Sequence, residues 1–404
     1  MDEKELEKML AANDRQFLSK NTLPEHDKLI NIIRELFPAT GIAQNLFCNS
    51  FMLEAVELIK HSIFLYEEGF FDCAFYSLRQ SIEILNNMLL CADDDVRLKN
   101  WKSKGWFPSD KNVKETLKKQ NIAYREIKSK LPEFFEKVDI NLQKANKYIH
   151  KQGFDTFYTS YKRKTDSDRN ECTNLFLDFI RQAIGMVLIM NIALDPLALA
   201  LSDPDVEMHI PFDPMTEPIP IHIFEELLSM DILEKIKDTK HYKELKEYFL
   251  SQEELNEATY EVIHYQHFDI HRLKDIEKQS HLLDIEQKLI LHILLDGINA
   301  SYFYPQYYSL LGYSTSYKAR VLLNSWSSDQ FDEYLGENCK QNIPWNDMYI
   351  SVFQLLDSYL VIQHNDIFKD EEIHIIETNV NSVNQQYTQL SAPQYNKNSY
   401  TTEY

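Results

Sequence analysis

FMLEAVELIKHSIFLYEEGFFDCAFYSLRQSIEILNNMLL, residues 51–90, is the stretch from which the fold class is read. In its first half Val56, Ile59, Ile63 and Tyr66 recur at spacings of three and four, which puts them on one apolar helix face. In its second half Phe75, Leu78, Ile82, Leu85 and Leu89 keep the same rhythm. Glu67, Glu68 and Gly69 separate the halves, and glycine most readily takes the left-handed backbone that closes a helix. The stretch therefore predicts an antiparallel helical hairpin whose two apolar faces need cover. On its second helix Arg79 and Glu83 stand one turn apart and are placed to pair.

Working outward, residues 1–45 read as an N-terminal helical extension, with Leu29, Ile32, Ile33 and Leu36 on a small apolar face and a break at Pro38 to Gly41. The polar stretch 92–112 carries Trp101 and Trp106. Two indoles among lysines read either as a stacking platform for a base or as anchors pinning a loop to the core. Val113 to Lys130 reads as one basic helix, and Leu131-Pro132 restarts the chain. Phe134 to Ile149 places Phe135, Val138, Leu142, Ala145 and Ile149 on one face and ends in KANKYIHKQGFD, with Gly153 as its stop. Cys172 to Leu194 reads as a buried helix halted at Asp195-Pro196, because a residue before proline avoids the helical region.

These elements make residues 46–201 a helical bundle. Residues 202–221 hold five of the chain's 13 prolines and read as a connector. Residues 222–378 read as a second, acidic helical domain, with helical spacing at Phe224–Ile236, His241–Phe249, Glu253–Asp269, His281–Leu295, Ser316–Asn324 and Asn346–Gln363. Residues 379–404, rich in Asn, Gln, Ser, Thr and Tyr, read as a disordered tail. The expected fold class is all-α, and eight glycines in 404 residues agree with few sheet turns.

The net charge of −21 disfavours non-specific attraction to nucleic acid or anionic membranes. Residues 97–164 depart from that average, with 18 Lys and Arg against 7 Asp and Glu. Such a segment is either a solvated helix face or a surface for an anionic partner, RNA or a nucleotide. Five scattered cysteines without CxxC spacing read as reduced thiols, and the acidic start MDEKELEKML is unlike a signal peptide. The apolar run 183–194 is shorter than the roughly 20 residues a membrane span needs. A cytoplasmic protein without membrane attachment is the expectation.

The hairpin and KANKYIHKQGFD resemble HEPN domains over about Phe51 to Leu194. That resemblance implies a bundle that dimerises with its own copy or binds a protein partner, in bacterial stress or antiphage systems. Members are either metal-independent ribonucleases or catalytically silent modules. The nucleases carry an arginine followed, after four to six residues, by a histidine. The histidine moves a proton at the 2′-hydroxyl or the leaving oxygen, and the arginine steadies the phosphorane charge. None of the 13 histidines here follows an arginine at that distance. The nearest pattern is Lys144, Asn146 and Lys147 before His150, and lysine lacks the planar two-pronged grip of arginine.

The reading is therefore a degenerate, non-catalytic HEPN-like binding or assembly protein. The alternative is an endoribonuclease using His150 with Lys144, Asn146 and Arg79. A third reading is a nucleotide or RNA sensor binding through Lys147, Lys151, Trp101 and Trp106. No cofactor or metal is expected. His264, His267 and His271 would lie on one helix, but no HExxH motif is present, and phosphate-loop, dinucleotide, hydrolase-elbow and EF-hand motifs are missing as well. The tyrosine-rich stretch 302–313 reads as a pocket lining, a partner face or an inter-helix core.

Overall fold

The computed structural model describes residues 4, 22–92, 94–103, 108–158, 166–305, 310–314, 334, 339–345 and 348–391. They form two compact units, Met1–Glu207 with Pro214–Ser251, and Met208–Asp213 with Gln252–Tyr404. The proline-rich stretch is thus shared, and the helices from Ile221 to Leu250 belong to the first unit.

In the first unit the long helices are α1 (His26–Glu35), α2 (Leu46–Glu67), α3 (Phe71–Ala92), α4 (Asp95–Lys102), α5 (Asp110–Gln120), α6 (Ile122–Lys130), α7 (Pro132–Ile149) and α8 (Asp166–Leu194). The short α9 (Leu197–Ala200) and α10 (Pro204–Glu207) follow, then α11 (Ile221–Leu227), α12 (Met230–Lys237) and α13 (Lys240–Leu250). The predicted hairpin is α2 and α3, and Gly69 turns it at φ 86°. Its apolar faces close around α8, where Phe176 stacks on Tyr66 at 4.0 Å between ring centres and meets Phe75 edge-on at 5.6 Å. By length and composition α8 could cross a membrane, but 78% of its most apolar window is buried inside the unit.

The basic stretch after Val113 is two helices. Asn121 breaks it, because its side-chain oxygen accepts from the Tyr124 N–H and caps α6. A buried carboxylate ties the proline-rich stretch down. Asp195 Oδ2 accepts from the hydroxyls of Thr40 and Thr216, each at 2.8 Å, and Oδ1 accepts from the Leu197 N–H. Asp203 does the same for α13, accepting from the Tyr242 hydroxyl at 2.8 Å and from Lys246 at 3.1 Å.

The second unit corrects the all-α expectation. It contains α14 (Glu257–Tyr265), β1 (His267–Phe268), α15 (Leu273–Lys278), α16 (Ile285–Leu295), β2 (Tyr302–Pro305), β3 (Gly312–Ser314), β4 (Ile343–Trp345), β5 (Met348–Leu355), β6 (Ser358–His364) and α17 (Asp370–Ser391). The six strands form one sheet in the order β1-β3-β2-β6-β5-β4, with β1 and β3 parallel and the other pairs antiparallel. Phe303, Phe353, Leu355, Leu360 and Ile362 pack into the helical core, while Tyr304, Ile350, Val352 and Val361 form a second apolar cluster. Apolar groups on both faces make β5 and β6 near-continuous hydrophobic runs, whose period cannot separate strand from helix. That is why 346–363 reads as a helix in sequence.

The helical assignment of 253–269 also stops short. Gln266 takes the left-handed conformation, φ 54°, and ends α14 at Tyr265. The disordered-tail expectation is corrected for residues 379–391, which lie in α17. Ile376, Val380 and Val383 follow i, i+4, i+7 spacing and are buried in the helical core. The expectations for 392–404, for 316–324 and for nearly all of residues 1–21 lie outside the described residues.

Candidate functional site

The sequence points to α3 and α7, and these two helices pack antiparallel. Phe75 stacks on Tyr148 with ring centres 4.8 Å apart, which sets the register. On one side of that contact Arg79 Nη1 donates to Asn146 Oδ1 at 2.9 Å, and its Nε donates to Glu83 Oε1 at 2.6 Å. Gln80 donates to the other Glu83 oxygen at 2.7 Å. On the other side Lys151 pairs with Asp72 at 3.0 Å and lies 4.0 Å over the Tyr158 ring, whose hydroxyl donates to the same carboxylate. Burial raises the Asp72 carboxyl, but its bonds to Tyr158 and Lys151 outweigh that and hold it below the usual aspartate range. Burial and the Asp72 bond push the Tyr158 phenol well up.

His150 is the C-cap of α7 and is exposed, and the next residue, Lys151, turns the chain at φ 51° before Gly153 does so at φ 96°. Asn146 is one turn before His150, so these two share a face with Arg79 close by. Lys147 is exposed. Lys144 is on a different face of α7 and lines a groove formed with α8, α11 and α12. The four candidate catalytic groups are therefore split. Arg79 and Asn146 are joined, His150 stands one turn beyond, and Lys144 points elsewhere.

Trp101 anchors α4 to the bundle, its ring 4.5 Å from Phe51 with 37% of the residue exposed. Trp106 lies outside the described residues. Four cations of the basic segment, Lys151 among them, are paired with acids of their own unit. Arg97 pairs with Asp94, Lys114 with Asp110 and Asp139, and Lys130 with Asp238. Lys128 sits 5.1 Å over the Phe135 ring, and burial lowers its ammonium below the ordinary lysine range.

The histidine trio is dispersed. His264 Nε2 meets the Ile210 carbonyl at 3.1 Å, His267 Nδ1 meets Glu261 at 2.5 Å, and His271 follows in a turn. Among the described residues no group of three or more His, Cys, Asp or Glu is arranged to hold a metal ion.

Two features have no simple sequence signal. One is a pair in the second unit. Ser351 Oγ lies 2.8 Å from His364 Nε2 while His364 Nδ1 donates to the Asp366 carbonyl, and both residues are fully buried. The other is the groove holding Lys144, of about 360 Å³, where Lys137, Ile140 and Asn141 share its face of α7 at helical spacing. That spacing mixes charged and apolar residues, so it reads as a solvated face.

No protein-family model matches this chain, and no curated protein or solved structure matches it either.

Proposed function

We propose that the first unit is a non-catalytic, HEPN-like binding and assembly module that pairs with a second copy or another protein chain. The observation that carries this reading is the use made of Arg79. A catalytic arginine must meet developing charge on a phosphorane, whereas Arg79 is already neutralised by Glu83 and held by Asn146. Lys151 is likewise taken by Asp72, and Lys144 faces another groove. The polar groups between α3 and α7 thus act as a clamp between helices. Exposed apolar side chains supply material for a contact: Leu46, Leu53 and Phe64 share spacings of 7 and 11 on α2, and Phe154 is 80% exposed just after α7. A bacterial stress or antiphage setting in the cytoplasm is what the resemblance implies.

A second reading, a metal-independent endoribonuclease, draws support from the exposure of His150 one turn beyond the Arg79–Asn146 pair. The test is incubation of the purified protein with labelled total RNA and tRNA in EDTA, beside a His150→Ala variant, together with the mass in solution. A dimeric mass or a co-purifying protein partner, without His150-dependent cleavage, is the expected result. Cleavage by the parent that disappears in the variant would overturn the assembly reading in favour of the nuclease.

A further inference from the structure

The groove between α7, α8, α11 and α12 belongs neither to the Arg79 clamp nor to the exposed apolar positions, and its volume of about 360 Å³ lies within the range of small-molecule sites. Its floor is apolar, built from Phe134, Ile140, Leu228 and Ile232. Gly185 on α8 lets two of these lining side chains pack close to that helix, because a Cβ there would stand 2.9 Å from the Phe134 ring and 3.0 Å from Leu228. Ile140 remains 41% exposed inside this concavity.

The polar groups at the mouth are mostly donors. Asn141 Nδ2 donates to Gln182 Oε1 at 3.0 Å, which uses the amide oxygen and leaves the Gln182 Nε2 hydrogens without an acceptor among the described residues. Arg181 is held by Glu25 at 2.8 Å and Asp178 at 3.3 Å. Lys137 and Lys144 line the same groove and have no ion-pair partner among the described residues. Three cations against the two acids on Arg181 leave a formal charge of +1 at the mouth, in a chain whose net charge is −21. A net positive mouth over an apolar floor favours an anion with an apolar body. A formal +1 suits a monoanion better than a doubly charged phosphate ester.

We propose that this groove is a binding site for a small organic carboxylate, its apolar body on Phe134 and Ile140 and its carboxylate at Lys137, Lys144 and Gln182 Nε2. The site is independent of the assembly reading, since none of its groups belongs to the Arg79 clamp.

Isothermal titration of the full chain with octanoate, 1-octanol and octyl phosphate tests it. Octanoate binds saturably with one site per chain, and 1-octanol binds at least about tenfold more weakly, a difference of about 1.4 kcal/mol. Lys137→Gln with Lys144→Gln weakens octanoate by at least about tenfold without altering helix content. Ile140→Glu, a change at a half-exposed position, abolishes octanoate binding by putting a carboxylate on the floor. No saturable octanoate binding, equal binding of 1-octanol, or unchanged affinity in the lysine variant overturns the site. Octyl phosphate binding tighter than octanoate overturns the assignment to a carboxylate.

Discussion

Arg79 Nη1 and Asn146 Oδ1 stand 2.9 Å apart across the packed faces of α3 and α7, and the same guanidinium is neutralised within its own helix by Glu83. The contact joins residues 67 positions apart, so it closes the bundle as well as ordering one side chain. A double-mutant cycle with Arg79→Ala and Asn146→Ala should give a coupling energy of about 1 kcal/mol in urea unfolding. Arg79→Ala alone should cost about 1–2 kcal/mol, because Glu83 is left half-buried without its cation. A coupling near zero would show that the clamp does not hold the helices.

Among the described residues Asp195 has no ion-pair partner and depends on donated hydrogen bonds from Thr40, Thr216 and Leu197. Asp195→Ala removes the acceptor for two buried hydroxyls and one N–H. The expected loss is about 3 kcal/mol, with Asp195→Asn costing less because its carbonyl keeps part of the network. Denaturant midpoints of the two variants check the order.

In the second unit His364 is a buried neutral imidazole. Burial lowers its pKa to about 4, against the smaller opposing effects of the Asp366 carbonyl bond and the Glu372 and Asp366 carboxylates. A folded pKa below the unfolded value of about 6.5 means that the unfolded chain takes up the proton first. The stabilisation is complete above about pH 6.5 and is lost as pH falls towards the folded value of about 4. The size is about 3 kcal/mol. His364→Gln should flatten unfolding stability against pH within that window. Asp72 and Asp203, whose carboxyls are held below the usual range, stabilise the fold above the ordinary aspartate pKa, and that contribution is lost only at more acid pH than the His364 window.

Helix α17 is an integral part of the second unit. Asn384 accepts the Leu356 N–H at 2.6 Å and donates to the Gln354 carbonyl at 3.1 Å, holding the β5–β6 turn where Leu356 has φ 55°. Val380→Asp should cost about 3 kcal/mol or more by burying a carboxylate among Ile376, Val383 and the sheet. Asn384→Ala should cost about 1–2 kcal/mol. Calorimetry of each variant should show one weakened transition, and an unchanged profile for Val380→Asp would contradict the packing.

The sequence by itself determined the α2–α3 hairpin, its Gly69 turn, the Arg79–Glu83 pair and the buried α8, because all of these are written in helical spacing and local backbone preference. It could not distinguish strand from helix at β5 and β6, where burial on both faces removes the period-2 alternation. Composition masked α17, since three apolar side chains at the right spacing suffice among many Asn, Gln and Ser. Charge counting at 97–164 could not say which cations are paired, and Asp238 answers Lys130 from 108 positions away. Whether Lys144 keeps company with His150 or with Arg181 was likewise decided only by tertiary packing. Helical spacing orders residues within one element, whereas the partner of a side chain depends on which distant element lies against that face.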